Sequence, residues 1–369
     1  MKQYKTSNFA FKQKSQDFIV EEQLPFAPKG KGDALFVFFE KRNLNTMDVI
    51  NHLTSRLKIS RMALGIAGLK DKKAITRQWI SIYKSQLQKI GWAKTFMGVL
   101  AEKTRIIEAT WHTKPIGLTT NISNLFHIRL RSLKKLSQQE KDDVTQSLRV
   151  LFTGGFVNVF GEQRFGIEKR NIAIGRAILD KDEIYQDKKE GLFKLQAYSS
   201  QLFNEYADMR VCMWLLPVDG DIVEIVDKNT GIFKDFAVYH EATNSVKVFK
   251  NQKGSGQFFR HPRSLGKEIP FDKETMKLTG PVLGYDLLLG RQSSPSSTME
   301  QEFFERNNVT KKHGEVFQDL KLYGRRRALW VYPHGFKLKF QDDDILLRFS
   351  LPAGAYASVL VDEMIKLIS

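Results

Sequence analysis

The chain has 369 residues, 42% hydrophobic and 27% charged, a length that suits two domains and a composition that excludes a disordered or fibrous protein. Lys and Arg number 58 against 41 Asp and Glu, and the net charge of +17 points to a polyanionic partner, nucleic acid before an anionic membrane surface. No apolar run reaches the roughly 18 residues of a membrane span, and the N-terminus has no apolar signal core, so a cytoplasmic location is expected. The single cysteine, Cys212, excludes an intramolecular disulfide and a Cys-based zinc site, and the seven His show no ligand spacing, so no structural metal is expected.

Residues 9–39 read as strand, loop, strand. The segment from Phe9 to Lys12 alternates, Asp17 to Glu22 follows a polar turn, and Pro25, Pro28, Gly30 and Gly32 mark a loop before the apolar run from Ala34 to Phe39. Thr46 is placed to cap a helix with Ile50, Leu53 and Leu57 on one face. Then comes Ala67-Gly-Leu-Lys-Asp-Lys-Lys-Ala-Ile-Thr-Arg-Gln-Trp79. Gly68 permits a tight turn, residues 75–83 alternate like a strand, and Asp71 is left on a loop at a strand end. Lys70, Lys72, Lys73 and Arg77 surround it in sequence and favour the ionised carboxylate. Loops on rigid scaffolds carry chemistry, although on spacing alone a solvated, charged turn is the simpler account.

Residues 96–131 pattern as short strands, with Phe126, Ile128 and Leu130 on one face. Pattern alone makes Phe18 and Phe126 core residues. Ser137 and Glu140 form a capping box for a helix with Val144, Leu148, Leu151 and Phe152 on its apolar face, ended by Gly154 and Gly155. From about 155 to 318 the composition changes. Helices are expected at 169–180, 196–216 and 299–307 and strands at 221–226 and 232–239, with solvent-facing stretches at 253–256 and 292–298. Cys212, in the apolar run from Val211 to Leu216, is expected to be buried. The arginine run 325–327 suits a solvated face or phosphate contact equally. Strands at 336–340 and 345–349 and a helix with Tyr356, Val359, Leu360, Met364 and Leu367 on one face close the chain.

Within the Asp71 stretch, Ala67, Gly68, Lys70, Asp71, Lys72, Ala74, Thr76 and Gln78 match the signature of the TruD family of tRNA pseudouridine synthases, which this chain resembles. Further matches follow in order at Asp17-Phe18, Ser123-Asn124-Leu125-Phe126, Asn158 to Gly166, Pro281 to Gly284, Arg326-Arg327-Ala328 and Arg348 to Ala357, so the resemblance covers nearly all of the chain. It implies an α+β fold: a pseudouridine synthase-type catalytic domain with a mixed, mostly antiparallel sheet from residues 1–154 and 319–369, an inserted α/β TRUD domain at 155–318, and a basic cleft between them for tRNA. It also implies isomerisation of a uridine, at position 13 of tRNA, with Asp71 as nucleophile or as base. Phe18 and Phe126 would then meet the flipped base, Asn124 would sit beside them, and Lys12 would stand at a basic position of the family, its pairing with Asp71 left open by the sequence. Lys70, Gln163, Arg164, Arg326 and Arg327 would bind RNA or support the catalytic loop.

The isomerisation is neither redox nor group transfer, so no cofactor or metal is expected; tRNA is the one partner implied, with no protein partner. The sequence holds no P-loop and no Gly-x-Gly-x-x-Gly fingerprint. Two other classes stay open. A catalytically silent tRNA-binding or folding chaperone would share the charge and the aromatics. Another RNA-modifying enzyme, such as a methyltransferase, would need an S-adenosylmethionine loop that is not visible.

Overall fold

The computed structural model describes residues 8–117, 120, 123–228, 233–249, 258–262 and 265–369. The stretch 253–256, expected as a solvent-facing turn, lies outside them. The first segment runs β1 (Phe9–Phe11), β2 (Phe18–Gln23), β3 (Ala34–Arg42), α1 (Thr46–Leu57), β4 (Leu64–Gly65), β5 (Ile75–Tyr83), α2 (Lys84–Lys89), α3 (Trp92–Ala101), β6 (Arg105–His112), β7 (Ser123–Ser132) and α4 (Gln138–Gly154). Two local expectations change. The cap of α1 is Asn45, whose capping box uses Asp48, which frees the buried Thr46 hydroxyl for another partner. Residues 92–101 form a helix where strands were expected, because Phe96 and Leu100, one turn apart, both enter the core. The box at α4 is as read: Glu140 Oε2 accepts from Ser137 N at 2.8 Å, and Glu140 N donates to Ser137 Oγ at 3.3 Å.

The second segment continues with β8 (Phe156–Val157), α5 (Arg170–Asp180), α6 (Lys188–Cys212), β9 (Ile222–Val226), β10 (Phe233–His240), β11 (Ser245–Phe249), β12 (Phe259–Arg260), β13 (Leu265–Pro270), β14 (Met276–Val282), β15 (Leu287–Leu288), α7 (Pro295–Arg306), α8 (Gly314–Asp319), β16 (Arg325–Ala328) and β17 (Trp330–Val331). Its main sheet is antiparallel, in the order β13-β11-β10-β9-β14-β16, and α6 packs on β14. Gly280 of β14 permits that packing, since a Cβ there would lie 3.0 Å from the Tyr206 ring and 3.1 Å from the Phe203 ring. Ser294, Ser296 and Ser297 are buried rather than solvent-facing, because they start α7, with Ser294 as its cap. Cys212 is exposed, contrary to expectation: α6 ends there, and Trp214 and Leu215, both with positive φ, carry the apolar run outward, leaving Trp214 86% exposed.

The chain ends with β18 (His334–Gln341), β19 (Asp344–Pro352) and α9 (Ala357–Ile368). It divides into two compact units, residues 1–154 with 332–357 and 361–369, and residues 155–331 with 358–360. The return to the first unit comes after Val331, later than the 319 read from sequence. The reason is that β16 pairs with β14 and β17 with β8, which holds residues 325–331 in the second unit. No helix among the described residues is long and apolar enough to cross a membrane.

The sheet of the first unit runs β18-β19-β7-β2-β5-β3-β6 and is antiparallel except for the β2–β5 pair. Residues in register share a face, so Phe349, Phe126, Val20, Thr76 and Lys41 form one row across it. On that face Val37, Phe39, Ile80 and Ile82 pack under α1 and α3. At the other end Phe152 of α4 stacks on Phe336, with ring centroids 3.8 Å apart, and meets Phe349 edge-on. The opposite face carries Lys337, Arg348, His127, Glu21, Arg77 and Glu40, the polar side of a half-covered sheet.

Candidate active site

The loop 66–74 between β4 and β5 carries Asp71, and it is pinned from below. Lys41 is an inward-facing residue of β3, 1% exposed, and its Nζ donates to the carbonyls of Leu44 (2.6 Å), Asp71 (3.0 Å) and Lys70 (3.4 Å). Burial pushes the Lys41 ammonium down to about 8, opposed by the nearby Asp71 carboxylate. The buried Thr46 hydroxyl accepts from Lys70 N at 3.0 Å and donates to Gln78 Oε1 at 2.8 Å. Lys70 itself turns inward, to Glu22 at 2.8 Å, and Glu22 Oε2 accepts from Trp79 N at 2.9 Å.

The cations clustered in sequence therefore separate in space. Arg77 pairs with Glu21 (3.1 Å) and Glu40 (3.0 Å) on the far face, and Lys70 with buried Glu22. The cation on the Asp71 carboxylate is Lys12, at 3.2 Å from Oδ2. Lys12 takes a positive φ of 56° just after β1, and its Nζ lies 3.7 Å from the centre of the Phe18 ring. The Asp71 side chain stays 41% exposed, so a substrate can reach it from solvent.

Phe18 and Phe126 adjoin one another, with centroids 5.9 Å apart, and Phe126 stacks on Phe349 at 5.6 Å. Both rings are buried. Asn124, half-buried on β7, stands opposite Glu22 of β2 and Leu351 of β19. One ion pair, one aromatic row and one pinned carboxylate are thus brought together in the first unit. Lys41 and Glu22 were missed in the sequence although a signal existed. Each is a charged residue at an inward position of its strand, after Val37 and Phe39 and after Phe18 and Val20 respectively.

The other expected RNA contacts lie in the second unit. Arg326 is corrected: it is a buried structural residue, not a phosphate contact. Its guanidinium reaches Glu300 Oε1 at 2.8 Å, Thr279 Oγ1 at 3.0 Å, Thr279 O at 2.6 Å and Leu288 O at 3.1 Å. Glu300 is fully buried, and burial raises its carboxyl against the pull of Arg326. The same interior holds a second ion pair, Arg210 with Asp221 at 2.9 Å, and Tyr206 joins the two, 3.3 Å from Arg210 and 3.5 Å from Glu300. Arg327 is half-buried, donates to Asn158 O (2.9 Å) and Oδ1 (2.7 Å), and lies over the Phe160 ring at 4.3 Å. Arg164 donates to Ser200 Oγ (3.2 Å) and Gln196 Oε1 (3.1 Å) of α6, while Gln163 is exposed. Within the long motif from Asn158 to Gly166, then, Asn158, Phe160 and Arg164 fasten the loop to α6 and β16. Among the described residues no cluster of His, Cys, Asp and Glu could hold a metal ion.

The chain is 28% identical over 375 residues to tRNA pseudouridine synthase D of Sulfurimonas denitrificans, covering 97% of this chain and 96% of the relative. It is 27% identical over 353 residues to the Shewanella oneidensis protein of the same name, covering 95% and 84%. The crystal structure of a TruD protein from Methanosarcina mazei superposes with a TM-score of 0.61 at 18% identity, covering 98% of this chain and 94% of that one, which shows a shared fold. The family model for tRNA pseudouridine synthase D (TruD) matches residues 3–185 and 186–364. With residues 3–364 matched in sequence and its fold matched in structure, the chain belongs to the TruD family.

Proposed function

We propose that this protein is a tRNA pseudouridine synthase that isomerises a uridine, at position 13 of tRNA, with Asp71 as the nucleophile. The observation that carries this is Asp71 itself, a solvent-reachable carboxylate on a pinned loop, paired with Lys12 beside the Phe18 ring. A stacked base cannot reach a carboxylate on a protein surface, so the uridine is flipped out first. Asp71 then drives cleavage of the bond between C1′ and N1. The uracil turns, C5 bonds to C1′, the C5 proton leaves, and N1 gains one. Product and substrate are isomers, so the balance needs no other reactant. Lys12 aims the carboxylate, and the adjoining Phe18 and Phe126 rings are the aromatic seat assigned to the base.

The reading is tested with tRNA labelled with tritium at uridine C5, since each turnover releases one label to water. Wild-type protein releases it. Asp71→Asn keeps the shape and loses the charge, and is expected to release none while binding tRNA with unchanged affinity. Release by the variant above a few per cent of wild type would remove Asp71 from the role. A wild-type protein that binds tRNA and releases no label would leave the chaperone reading.

A further inference from the structure

An ammonium has three N–H donors, and Lys41 has three carbonyls to take them, one before α1 and two in the loop that carries Asp71. Its side chain lies wholly inside, so these bonds face no competition from water. We propose that Lys41 is a positioning residue for the isomerisation: it clamps the Lys70–Asp71 peptide against the segment preceding α1 and so fixes where the Asp71 carboxylate stands. This rests on Asp71 being the nucleophile. The clamp is charged, and the titratable groups facing it are Asp71 and Lys70 on the loop and Asp48 on α1. Losing one proton leaves two donors and a lone pair for three carbonyls, so one carbonyl is released and the attraction to Asp71 disappears.

Geometry of this kind matters because a misplacement of about 1 Å at a reacting group costs on the order of a hundredfold in rate. With burial holding Lys41 at about 8, the clamp opens within reach of ordinary assays. The sign separates this from unfolding. Between the folded value of about 8 and the ordinary lysine value of 10.5, the unfolded chain binds more protons than the folded one. The Lys41 contribution to stability therefore rises with pH over the window in which activity falls.

The test measures tritium release against pH from 6.5 to 9.5 for wild type, Lys41→Met and Asp71→Asn, with tRNA affinity alongside. In wild type kcat should fall with a midpoint near 8. In Lys41→Met kcat should be down by about 10- to 100-fold with KM within about twofold, and it should lack the alkaline limb. A limb that belonged to the uracil ring would persist in that variant and overturn the inference, as would a kcat within twofold of wild type. Should Lys41→Met not fold, the wild-type protein decides through its Lys41 Cε resonance. A titration near 8 that coincides with the loss of kcat supports the clamp, and one above 10 overturns it. An inactive Asp71→Asn beside a fully active Lys41→Met would remove the clamp and leave the nucleophile standing.

Discussion

Arg326→Ala is expected to destabilise the second unit and leave the salt dependence of tRNA binding unchanged. The guanidinium makes four hydrogen bonds in the interior, one of them to a carboxylate with no exposure. Truncation leaves Glu300 buried and unpaired and two backbone carbonyls short of a donor. Breaking a buried pair from one side costs about 3–5 kcal/mol. In a unit of this size each kcal/mol moves the midpoint by about 2–4 °C, so the melting transition should drop by roughly 6–20 °C. Glu300 also accepts from Gly290 N at 2.8 Å, so its partner substitution must keep an acceptor. Glu300→Gln does, and the double variant Arg326→Met with Glu300→Gln should recover at least half of the loss. Calorimetry on the full chain reads the transition, and titrations at several salt concentrations read binding. An Arg326→Ala protein that melts within about 1 °C of wild type, with a slope flattened by about one unit, would mean that this arginine meets phosphate after all.

Two further outcomes are expected. Phe126→Leu preserves most of the buried volume and should cost less than about 1.5 kcal/mol of stability. If the ring seats the flipped base, it should still lower turnover by about 10- to 100-fold, the worth of one base–aromatic stack of roughly 1–3 kcal/mol; turnover within twofold of wild type would return Phe126 to the core. Replacing Lys72 and Lys73, the exposed lysines beside Asp71, with Ala should flatten the slope of log K against log salt by about one to two units, equally for substrate and non-substrate tRNA. An unchanged slope in a filter-binding series would move the phosphate path off this loop.

Much of the first unit is legible because its signals are local. Alternation marks β5 and β7, an apolar run marks β3, and Ser137 with Glu140 announces α4. The site is legible where a side chain acts at its own loop, as Asp71 does. It is less so where partners come from afar, since the neighbours of Lys70 and Arg77 are carboxylates of β2 and β3 that spacing cannot place. The arginine run shows the limit most clearly. Three cations in a row suggest solvent, but a strand points alternate residues to opposite sides, and Arg326 is sent inward to a glutamate from α7. Cys212 fails for the converse reason. An apolar run is read as core, yet its helix stops, and two left-handed residues carry it out.

The strand order also sets a timetable for synthesis. Ser132 at the end of β7 donates to the Asp344 carboxylate at 2.8 Å across 212 positions of sequence, and residues 123–130 of β7 pair with β19. At about 5–20 residues per second, a ribosome needs roughly 10 to 40 seconds to travel from one to the other. Through that interval the nascent β7 has β2 on one side and an open row of backbone donors and acceptors on the other. Residues 155–331 of the second unit emerge in the meantime and can complete their own sheet. The nascent first unit thus waits with one unsatisfied edge, a row of backbone groups open to pairing with another chain.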